Sequence, residues 1–414
     1  MPDIRKDEFE EREIEDPAKT PPAGWLSNLP APAPVPDMSR SAIGKRTYDY
    51  GLERQDRRRL TLLPDPGCQE MRNVCEMKTV SLLDVASYLP KKRVSADFYT
   101  DCPGADGNLR EHPMFRPPEY RHHIAPDESP VDMIEQAVQP LIARHGKAAI
   151  RDVDVLLVHT FLPDLPFTGC GTEVVRRLGC RPEWLIDVHN SGCAAFVYMM
   201  KLARQIIATT DARSALICTV QNMAGQWFVQ SDVRKLAQAA IPGDGCGVGY
   251  LTDSEQSPVL SVECQHIGEY AGAMRVALDD GRKYWEPGES QVRIHFTEQG
   301  LGNVMKRGSR LIPEAVTKVC ADIGVVPSAI DALITNQPNR TFLRNWREAL
   351  QLSPEQHLDT FEMYGNLFGA AVPVTLDQAV QEGKLADGSL LVLGGFAHAG
   401  DFAGAAAIRW NGRR

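Results

Sequence analysis

The sequence predicts an α/β fold made of two similar halves behind an irregular N-terminal arm. From Lys78 onward, short apolar runs alternate with amphipathic stretches, the pattern of strands and helices taken in turn. A helix followed by a strand occurs twice, far apart in the chain and in the same internal order. Residues 1–77, by contrast, carry little periodic apolar pattern.

The arm combines a charged start, a Pro-rich stretch from Pro21 to Pro36 and a basic segment. Such a composition buries little surface and stays extended. Trp25, Leu26 and the run from Leu60 to Leu63 are anchors that a pure linker does not need. The arm is therefore read either as a tail or as a strap laid along the body or across a dimer interface.

In the body, Val80 to Val85 reads as the first strand, closed by Pro90. Val131, Ile134, Val138, Leu141 and Ile142 recur at helical spacing, Gly146 supplies a stop, and Pro140 inside the pattern predicts a kink. A strand follows at Val153 to Val158. In the second half Ile312, Val316, Val319 and Ile323 repeat the stripe, Gly324 repeats the stop, and Ile330 to Ile334 repeats the strand. Both strands carry Asp at their second position, Asp154 and Asp331, and end five residues later at His159 and Asn336. A repeat of this length implies a duplicated half rather than a solenoid. The turn-rich residues 253–258 divide the body near residue 255, giving an arm at 1–77, a first half at 78–255 and a second at 256–414.

Composition narrows the function. With 414 residues, 43% of them hydrophobic, the chain buries a substantial core. A net charge of -9 argues against a nucleic-acid partner. An acidic carrier protein would need a local basic patch, for which Arg57-Arg58-Arg59 and Arg176-Arg177 are candidates. The start lacks the order of a secretion signal, and no apolar run of about 18 residues is present to span a bilayer, so a cytoplasmic protein without a membrane partner is expected. The ten cysteines include no C-x-x-C pair and read as buried thiols. Cys68 and Cys75 are the closest pair and fit no common zinc spacing, so no metal and no cofactor are expected.

One cysteine has a setting suited to chemistry. Cys193 lies in Asn190-Ser191-Gly192-Cys193-Ala194-Ala195, after the strand candidate Trp184 to Val188 and before a helical stretch from Phe196 to Ala208. A strand, a turn of small residues and a helix place a thiol at a helix N-terminus, where unpaired N–H groups and the dipole are expected to lower its pKa. The glycines of Gly243-Asp244-Gly245-Cys246-Gly247 are followed by strand-like Tyr250-Leu251 rather than a helix, so they read as structural.

Five segments in order resemble ketoacyl-ACP synthase III and its thiolase-fold relatives: Ala86-Ser87-Tyr88-Leu89-Pro90, Asp187 to Phe196, Gly243 to Gly247, Asn336-Gln337-Pro338-Asn339 and Tyr364-Gly365-Asn366. The resemblance covers residues 78 to 410. It implies a thiolase-like fold, a homodimer, and an acyl group taken from acyl-CoA or an acyl-carrier protein onto Cys193. It also implies an asparagine, Asn366, that assists the second half-reaction. The family's histidine is replaced by Asn336, whose amide cannot take a proton but can donate a hydrogen bond to an oxyanion, or can serve only to pair backbone groups at the strand end.

The loop Gly394 to Phe402 matches the family's glycine-rich loop and adds His398 and Asp401. His398 is the candidate to replace the missing imidazole, with His189 a weaker one. The implied function is an acyltransferase that passes the acyl group to an alcohol or amine, a small-molecule acceptor, in specialised metabolism. Decarboxylative condensation with malonyl-ACP in fatty-acid or polyketide assembly is the alternative, and an inactive partner subunit of a related enzyme is a third.

Overall fold

The computed structural model describes residues 78–412 apart from 106–107, 166, 190, 279, 284, 289–291 and 296–297. The readings placed on the arm and on Asn190 fall outside the described residues.

The first half opens with β1 (Ser81–Tyr88), followed by β2 (Lys92–Ser95), the short α1 (Asp97–Thr100) and β3 (Tyr120–His123). Next comes α2 (Pro130–His145), where Ser129 and Asp132 form a capping box, Pro130 takes the first position, and Gly146 at φ 83° closes the end. The helix runs unbroken through Pro140. Then follow α3 (Lys147–Arg151), β4 (Val155–Thr160), α4 (Gly171–Leu178), β5 (Trp184–Asp187), α5 (Ala195–Thr209), β6 (Ser214–Gln221) and β7 (Gly245–Thr252).

The second half begins at β8 (Val259–His266). After the pair β9 (Arg275–Leu278) and β10 (Val292–His295) come α6 (Glu298–Asp322), β11 (Ala332–Thr335), α7 (Arg340–Ala349) and β12 (His357–Leu358). The chain ends on α8 (Phe361–Tyr364), α9 (Ala371–Gln381), β13 (Ser389–Ala397) and β14 (Phe402–Trp410).

The two main sheets have the same construction. One runs β5, β4, β6, β7, β1 and the other β12, β11, β13, β14, β8. In each, the first three strands are parallel and the last two join antiparallel. Thus β4 corresponds to β11, β6 to β13 and α5 to α9. Helices α5 and α9 pack against strands of both sheets, while α2 covers the outer face of the first sheet and α6 that of the second. The shared core between the sheets brings together Phe196, Met199, Ile217, Ile334, Val372, Leu376 and Leu393. Parallel strands buried on both faces account for near-continuous apolar runs, and all six residues of β4 are buried.

Two sequence features acquire their reasons here. A Cβ on Gly247 would stand 2.4 Å from Pro373 Cγ, and one on Gly249 would stand 2.9 Å from Phe196 Cζ. The glycines therefore let both inner helices lie directly on β7. Asp244 accepts hydrogen bonds from the backbone N–H groups of Ile124, Ala224 and Gly225 and so ties three loops together.

Candidate active site

Both inner helices begin at the carboxyl ends of parallel strands, where ligands collect in open α/β sheets. The turn from β5 into α5 contains a single 3-10 turn, Gly192–Ala194, with Gly192 at φ 44°. Cys193 sits in that turn, half-buried, its side chain packed beside Ala194, Ala397 and Phe402. Burial pushes its thiol up to about 12; the residue's own N–H pulls the other way, and the Asp401 carboxylate adds to the rise. This corrects the expected lowering of the pKa: desolvation outweighs the helix N-terminus, and Cys193 rests as a thiol. Its chemistry therefore needs a proton acceptor.

His398 supplies an imidazole at the same place. A Cβ on Gly192 would lie 2.6 Å from His398 Nε2 and 3.1 Å from both flanking ring carbons, so the imidazole tip fills the space a side chain would need. Its other nitrogen, Nδ1, stands 3.3 Å from Asp401 Oδ1. Burial raises the Asp401 pKa while His398 draws it back down. The turn that achieves this is strained: His398 at φ 45° and Ala399 at φ 65° both occupy the left-handed region. It is anchored by Ile267 N–H donating to Asp401 O at 2.7 Å. Gly395 brings β13 against the Cys193 turn, since a Cβ there would stand 2.5 Å from Ala194 Cα.

The two asparagines are engaged differently. Asn336 is fully buried, and its carboxamide pairs with one residue's backbone: Nδ2 donates to Phe396 O at 3.2 Å and Oδ1 accepts from Phe396 N at 3.0 Å. It thereby fixes β13 just before the His398 turn, and Nδ2 keeps one further hydrogen to donate. Asn336→Ala leaves a buried N–H and C=O unpaired and should cost about 2–4 kcal/mol. The expected result is a lowered urea midpoint at unchanged slope; a variant as stable as the parent would remove this structural role. Asn366, at the turn before α9, accepts from Phe368 N with Oδ1 at 3.0 Å, which commits its oxygen end and leaves the NH₂ end as donor. Pro242 bridges to Asn366, which fixes this turn against the strand leading to β7.

Cys193 and His398 are thus brought together, with Asp401 behind the imidazole. Asn336 reaches the same loop through Phe396. Asn366 lies three residues before Gly369, where a Cβ would meet Gly192 O at 2.8 Å, so its turn also abuts the Cys193 turn. His189 is exposed. Sequence reasoning missed His159 as a site residue, although it marked the strand end. That histidine is 1% exposed and lies near the same contact, 3.3 Å from the Gly369 Cβ position at its Cδ2. Its correspondence with Asn336 across the duplicated halves was the available signal. Among the described residues no group of three or more His, Cys, Asp or Glu side chains is placed to hold a metal, and no helix is long and apolar enough to cross a membrane.

Comparison with known proteins agrees with this architecture. The family described as 3-oxoacyl-[acyl-carrier-protein (ACP)] synthase III matches residues 186–268, which include Cys193, and its C-terminal part matches residues 320–410, which include Asn336, Asn366 and His398. The chain is 28% identical over 337 residues to beta-ketoacyl-[acyl-carrier-protein] synthase III 1 of Halalkalibacterium halodurans, covering 81% of this chain and 99% of that protein. It is 27% identical to the synthase III of Alkalilimnicola ehrlichii, with 81% and 100% covered. The structure of beta-ketoacyl-[acyl carrier protein] synthase III from Thermus thermophilus superposes with a TM-score of 0.67 at 25% identity, over 80% of this chain and 99% of that one. OleA from Xanthomonas campestris shares the fold, with a TM-score of 0.68 at 15% identity over 81% of this chain and 99% of its own.

Proposed function

The chain belongs to the ketoacyl-ACP synthase III family, with a thiolase-like fold, and we propose that within it the protein is an acyltransferase that moves an acyl group from acyl-CoA or an acyl-carrier protein, through Cys193, to an alcohol or amine. The observation that carries this reading is the His398 imidazole seated on Gly192 with Asp401 at its far nitrogen. A thiol, an imidazole and a carboxylate in series make the arrangement used for nucleophilic acyl transfer on unrelated folds.

In the first step Cys193 Sγ bonds to the thioester carbon. Its proton passes to His398 Nε2 and on to the departing thiolate. In the second, the acceptor oxygen or nitrogen bonds to the acyl carbon while its proton goes to His398. The bond to Sγ breaks, and the proton returns to the thiolate. Asn366, through its NH₂ end, is the donor proposed for the oxyanion, and Asn336 assists by holding Phe396 and hence the loop. A role in specialised metabolism follows from an acceptor outside the fatty-acid cycle.

The alternative, decarboxylative condensation, would form a β-ketoacyl product, the group in the names of the beta-ketoacyl-[acyl-carrier-protein] synthase relatives. Labelled malonyl-ACP separates the two. Release of CO₂ with formation of a β-ketoacyl product, at a rate near that of acyl loading, overturns the proposal; turnover with alcohols or amines and no CO₂ supports it.

The protein is also proposed to be a homodimer. Among the described residues β5 ends its sheet with one edge unpaired, and Trp184 and Leu185 are each 37% exposed there. Exposed apolar side chains on an open edge strand call for a cover. Leu185→Asp should therefore shift the chain from dimer to monomer in light scattering coupled to size-exclusion chromatography; a monomeric parent would overturn the assignment.

A further inference from the structure

A net charge of -9 repels an acidic carrier protein unless cations are gathered in one place. The basic stretches marked in the sequence do not supply that place. Residues 57–59 lie outside the described residues. On α4, Arg176 pairs with Glu173, and Arg177 pairs with Asp132 and Glu135. On α7, Arg340 is matched by Glu362 and Arg344 by Glu348.

Unmatched cations stand together on the hairpin of β2 and β3. Lys91, Lys92 and Arg93 follow one another where the chain enters β2; all three are exposed, and none forms an ion pair among the described residues. Arg93 lies over the Tyr120 ring at 3.5 Å, which fixes its guanidinium on the hairpin. Behind them Arg121 is fully buried on β3, 4.6 Å over the Tyr99 ring, and donates to Ala240 O. Desolvation pulls it down to about 10, so it stays charged at neutral pH. The hairpin's histidines feel this field. Burial first, then Arg121, Lys92, His122 and Arg234, push His123 down to about 3, while burial and Arg93 lower His122 against the pull of Pro90 O. The carboxylates of α9 nearby are committed, Asp377 to Ser87 and Gln381 and Glu382 to Lys384. Glu119 precedes Tyr120, which pairs with Ser95 at the far end of the ladder; Lys92 pairs with His123 at the near end.

The hairpin also stands at the right end of the molecule. Because β7 runs antiparallel to both β6 and β1, β1 points the same way as β4, β5 and β6. Its carboxyl end therefore leads into Lys91 at the end of the sheet where the Cys193 turn leaves β5. The His122 ring is 6.0 Å from that of Tyr364, two residues before Asn366. A Cβ on Gly245 would meet Leu89 Cδ2 at 3.1 Å and Leu367 Cδ1 at 3.3 Å, so the approach to the cations packs beside the residue after Asn366. Met363, 41% exposed on α8, which packs against β3, adds an apolar side chain to this neighbourhood.

We propose that Lys91, Lys92 and Arg93 form the docking surface for an acidic acyl-carrier protein, which thereby presents its thioester at the Asn366 turn for transfer to Cys193. The proposal rests on the reading of Cys193 as the acyl acceptor, and it makes the carrier protein a donor that the enzyme recognises by its surface. Cations strung along a strand suit an extended acidic face; a single phosphate is gripped by donors that converge on it.

The test compares two donors on the full chain, a bacterial acyl-carrier protein bearing a butyryl thioester and butyryl-CoA, with intact-mass spectrometry following the acyl adduct. Lys91→Glu combined with Lys92→Glu, at exposed positions that make no ion pair, should raise the KM for the carrier protein by about tenfold. Loading from butyryl-CoA should change by less than about twofold, since it brings no acidic protein surface. Added salt should weaken the parent's use of the carrier protein and leave the double variant nearly indifferent. Arg93→Lys, which keeps the charge, should behave as the parent, and Arg93→Glu should not. A double variant that uses the carrier protein as the parent does overturns the proposal. So does one that loses both donors alike, which would assign the cations to the phosphates that both donors carry.

Binding without turnover supplies a separate arm. Fluorescence anisotropy of the labelled carrier protein titrated with Cys193→Ala should show saturable, salt-sensitive binding that the two Lys→Glu changes remove. No binding, or equal binding with and without those changes, overturns the docking surface. A parent chain that takes an acyl group from neither donor overturns the nucleophile reading instead, while the anisotropy still decides the docking.

Discussion

Cys193→Ala takes up no acyl group from any acyl-CoA or acyl-carrier protein, while the parent chain gains the mass of one acyl unit per protomer. The expectation starts from a thiol that burial has pushed up to about 12, which leaves almost no thiolate at neutral pH. Loading is then fastest beside a proton acceptor, and the Cys193 turn has an imidazole tip seated on it at Gly192. Cys170 and Cys264 are pushed to about 12 by the same desolvation, and Cys218 and Cys246 are raised well above the usual thiol range. Cys170, Cys218 and Cys246 are buried and Cys264 is half-buried, so these thiols are expected to pack rather than react. The substitution removes one sulfur packed against Ala194, Ala397 and Phe402, a loss of about 1 kcal/mol, so the fold survives and the effect is chemical. Peptide mapping of the loaded parent should place the acyl group on Cys193. A Cys193→Ala protein that loads at a comparable rate, or a map that places the group elsewhere, removes Cys193 from the mechanism.

How much of this was legible before the fold was known depends on the range of the interaction concerned. The duplicated architecture was legible because it rests on local periodicity. The stripe ending at Gly324 belongs to α6 and the stripe ending at Gly146 is α2, and each is followed by a central parallel strand. The Cys193 turn was legible for the same reason, since a strand, small residues and a helix are contiguous in sequence. The thiol's acidity was not. A helix N-terminus argues for a lowered pKa, but the opposing desolvation comes from residues far away, such as Ala397, Asp401 and Phe402, which only the fold brings to Cys193. Asn336 was left between two roles because the sequence does not reveal that both ends of its amide meet the backbone of Phe396. His159 stood in plain view as the counterpart of Asn336 in the first half. It passed as a strand end because an unpartnered ring nitrogen becomes visible only after every neighbouring donor has been placed.

His398→Gln accumulates acyl-Cys193 and turns it over at least about a hundredfold more slowly, the usual worth of a positioned general base. The two half-reactions differ in their need for such a base. Loading exchanges one thiol for another: the proton lost by Cys193 is regained by the departing thiolate, so the step proceeds slowly to completion even without an imidazole. Transfer to an alcohol or amine is not symmetric, because the attacking group becomes strongly acidic only as its bond to the acyl carbon forms, and a group beside it must take the proton then. Glutamine occupies similar space and can accept a hydrogen bond, but it cannot keep a proton. Asp401 stands 3.3 Å from the far nitrogen, an ion-pair distance from which its carboxylate favours a positive imidazolium, so Asp401→Asn should show the same defect in weaker form. Asn336 offers no substitute base, since its amide is bound to Phe396 and has no proton affinity in this range. Near-parental turnover with an unchanged pH profile in His398→Gln would make the histidine a bystander and move the search for the base to the acceptor itself.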